Sequence, residues 1–110
     1  MNTFETIKDK ALEFLAIMQA EANALLDDDC YFETVFTIEK GRKYNRIIRD
    51  TRNRETGEMF NQRSCGGFID NDGNIYKSSS WKAPAKGIRG NIFQNAENAT
   101  SGNGYIRYMR

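Results

Sequence analysis

The residues best suited to chemistry fall in two stretches. The first is Ser78-Ser79-Ser80-Trp81-Lys82-Ala83-Pro84-Ala85-Lys86-Gly87-Ile88-Arg89-Gly90-Asn91, which holds the only Trp and the only Pro of the chain. The second is Arg42-Lys43-Tyr44-Asn45-Arg46-Ile47-Ile48-Arg49, a basic run with β-strand alternation. Together they offer the parts of an anion site. Lys82, Lys86 and Arg89, with Arg42, Lys43, Arg46 and Arg49, would neutralise phosphates. Ser80 and its neighbouring hydroxyls would donate to phosphate oxygens, while Tyr44 and Trp81 would stack on a base or ring. Backbone N–H groups near Gly87 and Gly90 would form a small anion concavity, and a short helix beginning near Pro84 would point its positive dipole end at the same place. The order of residues is neither a P-loop nor a dinucleotide fingerprint. A structural alternative stands beside this reading: Trp81 plugs the edge of the core and the lysines are solvated.

The composition argues against an enzyme. The chain has no His, so Cys65 beside Gly66-Gly67 lacks an activating imidazole. Asp70 and Asp72 are better explained as turn formers than as an acid–base pair. Asp27-Asp28-Asp29 invites a metal, but consecutive side chains diverge and the calcium-loop spacing is absent. Two cysteines without a CxxC pair or a Cys/His cluster give zinc no support, and no cofactor is expected.

Charge is unevenly spread along the 110 residues. Residues 1–39 carry 2 Lys against 9 acids, a balance of −7, whereas residues 40–110 carry 14 Lys and Arg against 6 acids, a balance of +8. Either the acidic front pairs with the basic back, or the basic part faces an anionic partner. No apolar run is long enough to span a membrane and no signal-peptide pattern opens the chain, so the expectation is a reduced, cytoplasmic protein with two buried thiols and no membrane partner.

The elements that must position these residues are legible from periodicity. One domain is expected over residues 1–110. Phe4, Ile7, Ala11, Phe14, Leu15, Met18, Ala22 and Leu25 recur at three- and four-residue spacing, broadened by Leu12, Ala16, Ile17, Ala20 and Ala24. This predicts a helix of about 22 residues, capped by Asn2 or Thr3 and ending near Leu26. Residues 31–39 and 42–50 alternate as a hairpin about Glu39-Lys40-Gly41. Residues 51–58 read as an exposed loop. A strand follows through residues 59–69, where Gly66-Gly67 marks a bulge or a close backbone approach. Asp70-Asn71-Asp72-Gly73-Asn74 is a tight turn into Ile75-Tyr76-Lys77. Residues 94–104 read as a mobile loop and Tyr105–Met109 as a last strand. The fold class is α+β, a long N-terminal helix packed on an antiparallel sheet of four or five strands. Phe4, Ile7, Phe14, Leu15, Met18, Phe36, Ile38, Ile47, Phe68, Ile75 and Ile92 are expected inside, and an uncovered sheet edge would favour a homodimer.

The combination Lys40-Gly41-Arg42-Lys43-Tyr44, Gly67-Phe68-Ile69-Asp70, Gly73-Asn74-Ile75-Tyr76-Lys77, Ser80-Trp81-Lys82-Ala83-Pro84-Ala85-Lys86 and Arg89-Gly90-Asn91 resembles small uncharacterised proteins of tailed bacteriophages. The resemblance covers residues 31–93 and transfers no activity. It implies a phage accessory or structural protein acting in the cytoplasm of an infected bacterial host, with the helix and the Tyr105–Arg110 tail as additions to the module. Residues and resemblance together lead to a non-enzymatic protein that binds nucleic acid or a phosphorylated small molecule. The alternative is a protein–protein module, either a phage assembly part or an inhibitor of a host protein.

Overall fold

The computed structural model describes residues 3–27, 29–94 and 96–107. Helix α1 spans Phe4–Asn23 and buries Phe4, Ile7, Ala11, Phe14, Leu15 and Met18. Its entry is fixed by Thr3, whose N–H donates to Thr6 Oγ1 at 3.3 Å, and no Gly or Pro weakens its interior. The buried stripe is narrower than the sequence predicts: Leu12, Ala16, Ala20 and Ala24 are exposed and Ile17 is half-buried. Ile17 still packs against the core, at the margin of the stripe.

Strands β1 (Phe32–Glu39), β2 (Tyr44–Asn53), β3 (Ser64–Asp70), β4 (Asn74–Tyr76) and β5 (Gly90–Asn91) form one sheet in the order β1-β2-β3-β4-β5. Every neighbouring pair is antiparallel. The expected α+β architecture is therefore what forms. The last strand of the sheet differs from expectation, because Gly90–Asn91 adds to β4. Tyr105 to Arg107 makes only a single bridge, Thr100 to Ile106, and the rest of the expected strand lies outside the described residues.

Register decides which side chains share a face. Phe36 stands opposite Arg49 and Ile38 opposite Ile47; Ile47 stands opposite Gly67, Asn45 opposite Ile69, and Ile69 opposite Ile75. This is the helix-side face, and its apolar members join α1 in the core, where each fully buried Ile, Phe or Met contributes roughly 1.5–3 kcal/mol. Ile38 is only half-buried, and Phe68 is buried on the opposite face. Between Ile47 and Ile48 the register shifts, so that Ile48 faces Cys65 and Arg49 faces Ser64. The Gly66-Gly67 pair is therefore a bulge, and it is also a close approach. Gly67 has φ +141, and a Cβ there would lie 2.2 Å from Ile106 Cδ1.

Two turns meet at one end of the sheet over a buried amide. Asn45 Nδ2 donates to Ile69 O (2.9 Å) and to Asn71 Oδ1 (3.0 Å), while Asn45 Oδ1 accepts from Gly41 N (3.1 Å). Asp70 does what turn chemistry requires, its Oδ1 accepting from Asp72 N and Asn74 N at 2.9 Å each. The β1 edge is partly closed by a side chain. Gln19 Nε2 donates to Thr34 O (2.6 Å) and Gln19 Oε1 accepts from Phe36 N (3.2 Å), in the manner of a neighbouring strand.

Residues 96–106 close the helix-side face and correct the expectation of a mobile loop. Ala96–Ala99 form a 3₁₀ turn, and Ala96, Ala99 and Ile106 belong to the core. Glu21 of α1 ties the segment down, accepting from Thr100 Oγ1 (2.5 Å) and Gly104 N (3.0 Å). Small residues permit this packing, because a Cβ on Gly104 would meet Ala22, Met18 and Phe36.

Candidate binding site on the outer sheet face

The face turned away from the helix carries an aromatic cluster set by strand pairing. Arg46 pairs with Phe68, Phe68 with Tyr76, and Tyr44 with Asp70. The rings meet edge to face, Tyr44 to Phe68 at 6.2 Å and Tyr44 to Tyr76 at 5.3 Å between centroids. Phe68 is the buried floor and the two tyrosines are its half-buried margin.

Trp81 joins this cluster through Arg46. The guanidinium carbon lies 4.4 Å from the Trp81 ring centroid and 5.8 Å from that of Phe68. Arg46 Nε donates to the Trp81 carbonyl (2.8 Å) and Nη1 to Glu39 Oε1 (2.7 Å). Arg63 approaches from the other side, 5.5 Å from the Trp81 centroid, and donates to Glu39 Oε2 at 3.2 Å. The ring of Trp81 remains 36% exposed, so it neither plugs the core nor stands free.

The loop carrying Trp81 is a tight reversal. Ser78 bridges to Pro84, the N–H groups of Ser79 and Ser80 both donate to Ala83 O, and Ala85 N donates to Lys77 O. No helix begins at Pro84, which corrects the expectation of a dipole end there. The hydroxyls of Ser78 and Ser79 are spent on Cys65 O and Ala83 O, whereas Ser80 Oγ accepts from Lys82 N and keeps its own proton for another partner.

The ten expected site residues therefore divide. Tyr44, Arg46, Ser80 and Trp81 come together, with exposed Lys82 in the same loop and exposed Lys43 stacked 5.5 Å from the Tyr44 centroid. Arg42 is exposed in the turn leading into β2, and Lys86 is exposed beyond the bridge at Ser78 and Pro84. Arg49 and Arg89 are corrections. Arg49 faces the helix side, 3.8 Å from the Tyr105 centroid. Arg89 is buried, donating from Nε to Arg107 O and from Nη1 to the carbonyls of Lys86 and Gly87. The Gly87 carbonyl turns toward this cation and Gly90 pairs with Ile75, so the expected concavity of N–H groups is not built.

Three members of the face were not singled out from the sequence: Arg63, Phe68 and Tyr76. Register places Phe68 and Tyr76, since alternation predicts a face for each strand and not which faces coincide, whereas Arg63, outside the strands, reaches the face through Trp81 and Glu39. The described members of the acidic run, Asp27 and Asp29, do not neutralise the site. Asp27 and Asp29 make no ion pair with a described residue, and Arg54 contacts the carbonyls of Asp27 and Cys30. Glu39 and Glu33 do pair with the basic half, through Arg46, Arg63 and Arg52.

Protonation states follow from burial. Tyr76 is pushed up to about 12 by burial and by its hydrogen bond to Asp70 Oδ2 (3.0 Å), so it is a neutral donor. Burial also raises the Cys65 thiol, whose Sγ donates to Gly67 O at 3.5 Å, leaving a poor nucleophile at neutral pH. Cys30 and Cys65 are both half-buried free thiols, more accessible than the sequence suggests. Among the described residues no group of three His, Cys, Asp or Glu is placed to hold a metal ion, and no helix is long and apolar enough to cross a membrane.

No curated protein and no solved structure matches this chain. A family match does cover residues 3–109, taking in α1 and the C-terminal segment, which corrects the reading of these as additions to a module of residues 31–93. The chain belongs to that family, a family of unknown function designated DUF7717.

Proposed function

We propose that this chain is a non-enzymatic phage accessory protein of the infected bacterial cytoplasm that binds single-stranded nucleic acid or a nucleotide phosphate on its outer sheet face. The observation that carries the reading is the half-open Trp81 ring held on Arg46, beside Tyr44 and Tyr76 and next to exposed cations. Lys43, Lys82 and Arg42 make no ion pair with a described carboxylate, so their charge is available to phosphates. Arg46 has a different role from the one its charge suggests. Bonded to Glu39 and to the Trp81 carbonyl, it orients the indole. The resemblance of residues 31–93 to tailed-phage proteins supports the setting.

Trp81 is the only Trp, so its fluorescence reports directly on this face. Titration with oligo(dT) should quench it. The logarithm of affinity should fall against the logarithm of salt with a slope of about −2 to −3, as expected for three or four phosphates on a single strand. Trp81→Ala should weaken binding roughly tenfold or more, the value of one stacked base. A salt-independent affinity, or none, would sink the reading.

A second reading rests on the far end of β1. There Phe32 and Phe60 meet edge to face at 5.0 Å, both exposed, beside exposed Tyr31. Such a patch suits a protein–protein module, an assembly part or an inhibitor of a host protein. Native mass spectrometry of the purified protein separates the two readings, since it reports retained nucleotide, retained protein and subunit number in one spectrum.

A further inference from the structure

We propose a second binding site, for a small oxyanion, on the helix-side face of the sheet around Arg49. It does not rest on the outer-face reading. A cavity of about 250 Å³ opens here, and its wall includes Arg49, Thr34, Thr51, Ser64, Gln62, Tyr105 and one carboxylate, Asp50. The register explains the lining. Thr34 pairs with Thr51, Phe36 with Arg49 and Arg49 with Ser64, so strands β1, β2 and β3 each send polar side chains to the same face. Ser64 stands opposite Arg49 because of the bulge; without the shift, Cys65 would occupy that place.

Arg49 is an unspent donor. Its Nε is buried with no hydrogen-bond partner, and its guanidinium makes no ion pair with a described residue. Its contacts are to aromatic rings: the guanidinium carbon lies 3.8 Å from the Tyr105 centroid and 5.5 Å from the Phe36 centroid. A cation–π contact attracts the charge but supplies no oxygen acceptor for the guanidinium N–H groups. Folding has therefore taken one N–H of a half-buried charged group out of water without supplying an acceptor, which native structures seldom tolerate without a ligand or a function. The side chains of Thr34, Thr51, Gln62 and Ser64 likewise have no hydrogen-bond partner among the described residues, so four further polar groups converge on the same space.

Size and charge select the ligand. Sites for drug-sized molecules run from about 300 to 1,000 Å³, so this one suits a small anion or an anionic head group and not a whole nucleotide. The rim of a guanidinium presents parallel N–H donors that match two oxygens of a phosphate, sulfate or carboxylate. Asp50 opposes the anion but is partly occupied, its Oδ1 accepting from Thr51 N (2.7 Å) and Gln62 N (3.2 Å). Lys77 and Arg89 lie close enough to act on one another, and Lys77 on Arg49, so the field on this side favours an anion.

The test is calorimetric titration of the full chain with inorganic phosphate, with sodium chloride holding ionic strength constant. Sulfate and acetate arms distinguish a phosphoryl-type ligand from a carboxylate. One saturable site per chain is expected. Arg49→Met should weaken it roughly tenfold or more through loss of the bidentate donor, and Arg49→Lys should weaken it less, since charge remains without the fork. Asp50→Asn keeps the Oδ1 acceptor and should tighten binding about threefold by removing the opposing charge. Oligo(dT) quenching of Trp81 should be unchanged in Arg49→Met, and phosphate binding unchanged in Trp81→Ala. No saturable heat with any of the three anions overturns the proposal. So does phosphate binding that survives both Arg49 variants, or that disappears with Trp81→Ala.

Discussion

Arg46 and Arg49 lie on one strand and on opposite faces of one sheet, and the protein treats them in opposite ways. On the outer face, Arg46 has a carboxylate, a carbonyl and two aromatic rings around it. On the helix-side face, Arg49 has two rings and no acceptor. The difference is one of parity, because an odd separation along a strand puts two side chains on opposite faces. A guanidinium that donates to a carboxylate and a carbonyl braces its surroundings. One whose rim is unanswered is poised to receive something. Identical residue types in one basic run thus acquire unlike roles from the partners that the fold brings to them.

The largest break in this comparison comes from the close approach that builds the helix-side face. A Cβ on Gly67 would lie 2.2 Å from Ile106 Cδ1 and 2.8 Å from Tyr76 O, at φ +141. Gly67→Ala should cost about 3–5 kcal/mol in urea denaturation, combining overpacking with backbone strain. Because Ile106 is next to Tyr105, the change should also loosen the ring over Arg49. Gly57 is the control. It too has positive φ, yet nothing lies within 4 Å, so Gly57→Ala should cost about 1 kcal/mol. Equal losses at the two positions would show that conformation alone, and not the approach of Ile106, decides the matter.

Replacing each arginine in turn sharpens the contrast at lower cost. Arg46→Met should lose about 1–2 kcal/mol, since it strips a partner from Glu39 and from the Trp81 carbonyl; the exposure of Glu39 limits the loss. Arg49→Met should be neutral or stabilising by up to about 1 kcal/mol, because it removes a desolvated donor that the fold leaves unpaired. Chemical denaturation of the two variants under one set of conditions decides it. Similar losses would mean that Arg49 is as well satisfied as Arg46.

The parts of this arrangement that could be read from the sequence are those set by local periodicity. The stripe from Phe4 to Met18 gave the helix, the alternation through Phe36, Ile38 and Ile47 gave the first hairpin, and Asp70 with Gly73 gave the tight turn. Gly66-Gly67 announced the bulge but not what approaches it, since Ile106 is remote in sequence. The same limit applied to the candidate site. Arg46 meets Trp81 across 35 residues, a separation over which local periodicity carries no information. Arg89 shows its charge in the sequence and so suggests a phosphate ligand, whereas the carbonyls of Lys86, Gly87 and Arg107 that consume it do not show there. The segment 94–104 looked mobile because Asn, Ser and Gly dominate it. Its small residues are instead what allows the close contact with α1, and Glu21 supplies the hydrogen bonds.

The smallest effect tests whether the outer face is organised by its own hydrogen bonds. Tyr76 donates to Asp70 Oδ2 at 3.0 Å, and burial together with that carboxylate carries it from 10 to about 12. In the unfolded chain the phenol loses its proton near 10, while in the folded chain it keeps it until about 12. Between those values the unfolded state binds fewer protons, so stability must fall as pH rises through the window and be fully present below it. Tyr76→Phe removes the group, and with it that share of the alkaline slope. Urea midpoints measured from about pH 9 to about pH 12 should therefore show the parent declining more steeply than the variant, with the gap between them narrowing at high pH. Arg49→Met should leave this slope as it is, because Arg49 faces the other side of the sheet. Parallel slopes for the parent and Tyr76→Phe would mean that the phenol titrates as it does in the unfolded chain, and that its hydrogen bond to Asp70 does not organise the outer face.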